Sequence, residues 1–239
     1  AVGCELVRLA VPDKAAAEAI APIKKETSIP LIADIHFDYR LAIAAMRAGA
    51  NGLRINPGNI GTASKVKAVA KEALKRGIPI RVGVNAGSLE KYLLKKYGGI
   101  TPQAMVESAL GHVELLRSFG FNNIKVSIKA SDVLRTVEAY RLLSAQTDLP
   151  LHVGVTEAGS LFSGTVKSAL GIGILLAEGI GDTIRVSLTR DPVDEVRVGY
   201  EILKALKIRQ RGPEIVSCPT CGRCEIDLVE IVERVESAL

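Results

Sequence analysis

Ser64-Lys-Val-Lys-Ala-Val-Ala-Lys-Glu-Ala-Leu-Lys-Arg-Gly-Ile-Pro-Ile-Arg-Val-Gly-Val-Asn85 decides the fold, because its hydrophobic period changes partway along. Over Ser64–Arg76, Val66, Val69, Ala70, Ala73 and Leu74 recur at three- and four-residue steps, one stripe of a helix. Gly77 stands where a left-handed C-cap would end that helix. Pro79–Asn85 is then almost continuously apolar and β-branched, as expected of a strand covered by helices. A helix leading through a short turn into a buried strand is the repeating unit of a parallel α/β sheet.

The same unit recurs in both directions. Strands are expected at Leu6–Val11, Pro30–Ile35, Gly52–Asn56, Pro79–Asn85, Ile124–Ala130, Pro150–Glu157, Thr183–Leu188 and Glu214–Cys218. Helical spacing marks Ala15–Lys25, Leu41–Ala48, Gln103–Phe119 and Val193–Ile208, with Thr101-Pro102 as an N-cap and first turn. Gly49, Gly120 and Gly181 repeat the role of Gly77. About eight units in a chain of 239 residues is the arithmetic of a TIM-type (β/α)8 barrel. An open doubly wound sheet is the alternative, weakened because no Gly-rich dinucleotide fingerprint follows the first strand. The polar turn Arg209-Gln-Arg-Gly-Pro213 divides a barrel over residues 1–208 from a second unit over 209–239.

Composition sets outer limits. Hydrophobic residues make up 48% and charged residues 24%, the balance of a globular chain and not of a disordered one. No apolar run approaches the ~20 residues of a membrane span. Ala1-Val-Gly-Cys4 leads directly into a strand-like run with no signal peptide, so a cytoplasmic location is expected. Net charge is +5, yet Trp is absent and Tyr and Phe number five and four. Stacking platforms for single-stranded nucleic acid are therefore scarce, and no nucleic-acid or membrane partner is expected.

Chemistry in such barrels sits at the C-terminal ends of the strands. The polar residues there are Arg8; Asp34 and His36; Arg54 and Asn56; Arg81 and Asn85; Lys125, Ser127 and Lys129; Thr156 and Glu157; Arg185 and Ser187. Any single Arg could serve only to pair with a neighbouring carboxylate. The strand-end carboxylates are few, chiefly Asp34 and Glu157, so the balancing anion is expected to be a ligand. Forked guanidinium groups suit phosphate oxygens, and a diphosphate is the natural candidate. His112 and His152 read as structural, whereas His36, beside Asp34, reads equally well as a pocket residue.

Cys218-Pro-Thr-Cys221-Gly-Arg-Cys224 spaces three cysteines as Cys-x2-Cys-x2-Cys. This spacing suits an iron–sulfur cluster whose further ligands come from elsewhere. A structural zinc site would want a second Cys or His pair, and a redox dithiol would need only two thiols.

These segments together resemble the 4-hydroxy-3-methylbut-2-enyl diphosphate synthase family of isoprenoid biosynthesis. The resemblance is carried by Val7–Pro12, Ala33–Arg40, Leu53–Gly61, Arg81–Glu90, Lys125–Asp132, Gly154–Gly159, Glu178–Ser187 and Cys218–Cys221. It implies reductive ring-opening and dehydroxylation of 2-C-methyl-D-erythritol 2,4-cyclodiphosphate, with two electrons delivered through a [4Fe–4S] cluster. It implies substrate contacts from Arg8, Arg54, Arg81, Asn85, Lys129, Thr156 and Ser187, with Asp34 and His36 adjacent. Glu157 takes the place of the catalytic carboxylate, and Cys218 and Cys221 the place of cluster ligands. A flavodoxin or ferredoxin would donate electrons to a homodimer. The rivals are a phosphate-binding barrel synthase without redox chemistry and a zinc-stabilised binding module.

The resemblance also implies a further strand ahead of Val7 and further cluster ligands beyond the Cys-Pro-Thr-Cys turn. On that expectation the chain reads as an internal fragment. Its first seven strand runs then belong to the barrel, and Glu214–Cys218 opens the second unit.

Overall fold

The computed structural model describes residues 2–238, in which seven strands alternate with helices. β1 (Val7–Ala10), β2 (Leu31–Ile35), β3 (Gly52–Ile55), β4 (Ile80–Asn85) and β5 (Ile124–Lys129) form one parallel sheet in that order. β6 (His152–Val153) and β7 (Thr183–Ile184) form a parallel pair, joined to β5 by a bridge between Val126 and Leu151. Helices α1 (Lys14–Glu26), α2 (Tyr39–Arg47), α4 (Ala63–Arg76), α6 (Pro102–Arg117), α7 (Val133–Ser144) and α8 (Leu161–Ala177) return the chain from each strand to the next, and α9 (Pro192–Ala205) follows the last. Two shorter helices, α3 (Pro57–Ile60) and α5 (Lys91–Tyr97), lie in the loops after β3 and β4, and α10 (Leu228–Ala238) comes last.

The wall curves round on itself. Tyr200 of α9 donates its hydroxyl to the Gly3 carbonyl at 2.8 Å, and Arg209 pairs with Glu5 just before β1. The fold is that of a TIM-type barrel.

Strand parity sorts the side chains into two populations. Leu53, Ile55, Ile80, Val82, Val84, Val126 and Ile128 are fully buried, on the face covered by helices. Each such side chain contributes roughly 1.5–3 kcal/mol by leaving water. Parallel register carries the opposite parity across the sheet: Asp34 lies beside Arg54, Arg54 beside Arg81, and Arg81 beside Lys125. The interior of such a barrel is ordinarily filled with branched apolar residues. Here it is lined with charge.

The helix ends follow the sequence. Asp13, Asp38, Thr101 and Asp132 accept backbone N–H bonds as N-caps of α1, α2, α6 and α7. Gly77 caps α4 at φ 66°, and Gly49 and Gly120 also take positive φ. After α8 the first left-handed residue is Gly179, not Gly181. Gly181 is constrained by space as well, since a Cβ there would come within 2.9 Å of Val153.

Three expected strands are corrected. Pro150–Glu157 and Thr183–Leu188 shrink to two residues each. In the first, Tyr140 of α7 inserts its hydroxyl between β5 and β6. The Ile128 N–H donates to Tyr140 Oη at 3.1 Å, and Tyr140 donates to the His152 carbonyl at 2.6 Å. One step on, Thr136 accepts from the Ala130 N–H at 3.2 Å. Side-chain hydroxyls thus replace direct ladder bonds along this seam. Glu214–Cys218 forms no strand, because among the described residues no neighbouring strand lies beside it to pair with.

Candidate active site

The polar inner face is held by particular contacts. Arg54 crosses β4, donating to the Gly83 carbonyl at 3.2 Å and to Asp34 Oδ1 at 3.1 Å. A Cβ on Gly83 would overlap the Arg54 Nε, so this glycine is what gives the guanidinium its seat. Arg8 Nε lies 3.4 Å from Asp34 Oδ2, and His36 Nε2 lies 3.5 Å from the same oxygen. Burial raises the Asp34 pKa, but Arg54 and Arg8 outweigh it and hold the carboxylate below its usual range. Asp34 is therefore the internal counter-charge of the site, with its oxygens already engaged.

One carboxylate does not balance this interior. Arg81 is buried with its Nε unpartnered, and among the described residues it forms no ion pair. Burial first, then Arg8 and Arg54, lower its pKa to about 9, which leaves it charged at neutral pH. Lys129 is buried beside it, its pKa lowered by burial and then by Arg81, Arg185, Arg8 and Arg54. His152, buried in β6, meets Thr183 Oγ1 at 2.8 Å through Nδ1, while its Nε2 has no partner. Burial, then Lys129 and Arg81, hold the imidazole neutral. Arg185 faces inward after β7 and approaches Glu195 of α9 at 3.7 Å. Unpartnered donors among converging cations are the complement of an anion with several oxygens.

At the mouth the chain leaves the ladder. Thr156 donates its N–H to the Ala130 carbonyl at 3.1 Å, and Glu157 follows, exposed, at φ 52°. A non-glycine residue in this left-handed region carries strain of about 1–3 kcal/mol, of the kind found at functional turns. The turn is tied to the segment after β7 by the Thr189 N–H, which donates to the Gly159 carbonyl at 2.9 Å. Ser187 and Asn85 are half-buried at the same end of the barrel, and His36 is exposed there. Asn56 takes a different part: it caps α3 and donates to Ser88 Oγ at 3.2 Å, joining two loops. His112 is structural as expected, buried and 3.0 Å from Glu90 Oε1.

Arg8, Asp34, Arg54, Arg81 and Lys129 thus converge on one interior. Cys218 and Cys221 do not join them. Residues 207–227 are exposed throughout, and the thiols are free. Hydrogen bonds from the backbone and side chain of Arg223 lower the Cys221 pKa, favouring the thiolate that a soft metal needs. Among the described residues, no three His, Cys, Asp or Glu side chains converge as a metal cage.

The family model of the GcpE TIM-barrel domain matches residues 1–200. A 4-hydroxy-3-methylbut-2-en-1-yl diphosphate synthase (flavodoxin) of Geobacter sulfurreducens is 64% identical over 239 residues, covering 100% of this chain and 68% of that protein. The chain belongs to this family. A second member, from Maridesulfovibrio salexigens and bearing the same name, is 61% identical over 99% of this chain and 66% of its own length. The chain spans about two thirds of the length of these relatives.

Among solved structures, Yersinia pestis dihydropteroate synthase in a sulfonamide drug complex aligns with a TM-score of 0.55 at 12% identity, covering 87% of this chain and 82% of that one. Deoxyribose phosphate aldolase from Aeropyrum pernix aligns at 0.52 with 14% identity, covering 86% and 92%. At such identities the likeness is one of fold alone. No helix among the described residues is long and apolar enough to cross a membrane.

Some contributors escaped the sequence reading. Lys125 and Arg185 stood in the strand-end inventory but not among the expected substrate contacts, and His152 read as packing alone. Parity was the available signal for Lys125, since it shares a face with Lys129. Nothing in the sequence marked Tyr140, whose partners lie on two other elements.

Proposed function

We propose that this chain binds 2-C-methyl-D-erythritol 2,4-cyclodiphosphate in the barrel mouth and takes part in its reductive conversion to 4-hydroxy-3-methylbut-2-enyl diphosphate. The observation that carries the reading is the uncompensated charge of the interior. Arg8, Arg54, Arg81, Lys129 and Arg185 face one space in which Asp34 is the buried carboxylate. Charge-assisted bonds from these groups hold the diphosphate, with Asn85, Thr156 and Ser187 offering neutral contacts at the rim. Asp34 fixes Arg8 and Arg54 in position, and His36 stands beside it at the entrance.

Glu157 stands at the rim as the carboxyl that delivers a proton to the departing hydroxyl. The balance is two electrons and one proton in, the ring C–O bond to phosphate and the C–O bond of the hydroxyl both broken, a C=C bond formed between the two carbons, and the hydroxyl released as water. A [4Fe–4S] cluster, with Cys218 and Cys221 among its ligands, supplies the electrons when bound. On this reading the barrel ends near residue 208, residues 209–239 belong to a cluster-bearing unit, and the enzyme is a cytoplasmic homodimer fed by flavodoxin, the donor named for its relatives.

Calorimetric titration with the cyclic diphosphate tests the binding half, and saturable binding lost at high salt is the expected result. Absence of binding, with stoichiometric zinc on the cysteines, would point instead to a zinc-stabilised module. Anaerobically purified protein of the relatives' full length should absorb broadly near ~400 nm through sulfur-to-iron charge transfer.

A further inference from the structure

We infer that the diphosphate enters this barrel together with a proton, taken up by Lys129 at Nζ. The inference rests on the binding reading above and adds the protonation state of the empty site.

Lys129 ends β5 on the inner face, in register with Asn85 of β4, and is buried. Just after β6, Gly154 comes so close that a Cβ there would lie 3.2 Å from Nζ. The charged groups around it are Arg81 of β4, Arg8 of β1, Arg54 of β3 and Arg185 after β7, with the imidazole of His152 on β6. Among the described residues no carboxylate lies within ion-pair distance of Nζ. Asp34 is engaged by Arg8, Arg54 and His36. Glu195 accepts from the Leu188 N–H at 2.8 Å and faces Arg185.

A further positive charge in this ring is desolvated and repelled from several sides. Arg81, pushed down to about 9, still keeps its proton at neutral pH, so the group that yields first is the compact amine. Burial, then the four arginines, push Lys129 well below the ordinary lysine range, in line with that geometry.

Ligand entry reverses the sign. Each phosphorus of a cyclic diphosphate bears a single strongly acidic hydroxyl, so the ligand is a dianion throughout the neutral and alkaline range. Its charge against Nζ restores the ammonium: one N–H bond forms with a proton from the buffer, and no bond in the ligand breaks. The complex then holds one more proton than its separated parts. Apparent affinity is full below the pKa of the empty site and falls up to tenfold per pH unit above it, until the pKa of the complex is reached.

Titration of the protein with the cyclic diphosphate at pH 8.5, in two phosphate-free buffers of different ionisation enthalpy, counts the protons. About one proton taken up per ligand is expected, with the dissociation constant rising as pH rises. Lys129→Met should abolish the uptake and flatten the pH dependence while weakening binding. Binding with no proton uptake in the wild type overturns the inference, as does uptake undiminished in Lys129→Met, which would assign the proton to Arg81 or His152. Complete absence of binding removes the parent reading instead. A check free of ligand is the NMR titration of the lysine ε-methylene groups. One resonance, missing in Lys129→Met, should titrate well below the others, whereas all of them titrating together near about 10.4 would refute the neutral amine.

Discussion

The β4–β5 wall and the β6–β7 wall of this barrel are built differently. β4 and β5 stay in register from Ile80 and Ile124 to Asn85 and Lys129, whereas β6 and β7 share only His152–Thr183 and Val153–Ile184. The long ladder holds Arg81 and Lys129 in fixed places within the wall and supports Arg54 across the Gly83 carbonyl. The short one releases the chain after Val153, so that Glu157 stands at the rim with φ 52°. The groups that hold the ligand anion, Arg81 already charged and Lys129 charged on binding, sit on regular backbone. The carboxyl assigned to proton delivery sits on a strained turn off the ladder, where a change of pairing register does not set its position.

The largest effect expected from breaking this division is at Glu157. Glu157→Gln should lower kcat by about 10²–10⁴-fold, the usual weight of a general acid, while leaving the dissociation constant of the cyclic diphosphate within about threefold. Steady-state turnover with reduced flavodoxin, set beside calorimetric binding, separates the two. Equal losses in both would make Glu157 one more anchoring group and erase the contrast between the walls.

The long wall predicts the opposite split. Arg54→Ala or Arg81→Ala should weaken ligand binding by about 1.5–3 kcal/mol, roughly 10- to 150-fold. Gly83→Ala sharpens the point, since the added methyl displaces Arg54 without touching any charge. Its binding loss should approach that of Arg54→Ala. Gly87→Ala is the control, because a methyl added there meets nothing within 4 Å. A Gly83→Ala variant that binds normally would show that Arg54 does not need its place across β4.

Stability carries the smallest effect. Tyr140→Phe deprives the Ile128 N–H and the His152 carbonyl of their shared partner, at a cost of about 1–3 kcal/mol. Urea melts should shift accordingly, with the slope unchanged. No change in midpoint would mean that β5 and β6 close up and bond directly when the hydroxyl is gone.

The sequence was most readable where one element's own period carried the information. Of the expected stripe, Val66, Val69, Ala70 and Ala73 are buried as their spacing implies, whereas Leu74, at its margin, is exposed; Gly77 is left-handed where the helix ends. The strands from Leu6–Val11 to Ile124–Ala130 form within a residue or two of their expected limits. Reading failed at the seam between β5 and β6, because an apolar, β-branched run does not reveal that a tyrosine from α7 occupies its ladder. It failed again at Glu214–Cys218, where composition favoured a strand but pairing requires a neighbour.

The candidate site divides in the same way. Sequence alone determined the inventory: a run of arginines and lysines at strand ends, few carboxylates to match them, and three closely spaced thiols beyond the last barrel helix. It also determined the face each strand residue takes, because side-chain direction alternates with a period of two. Tertiary structure decided the partners. It placed Asp34 against Arg8, Arg54 and His36, seated Arg54 over Gly83, and left Arg81 Nε and His152 Nε2 without partners. The reason is physical: a residue's period is a property of its own strand, whereas charge compensation depends on distances between strands far apart in the chain, which only the curvature of the wall sets.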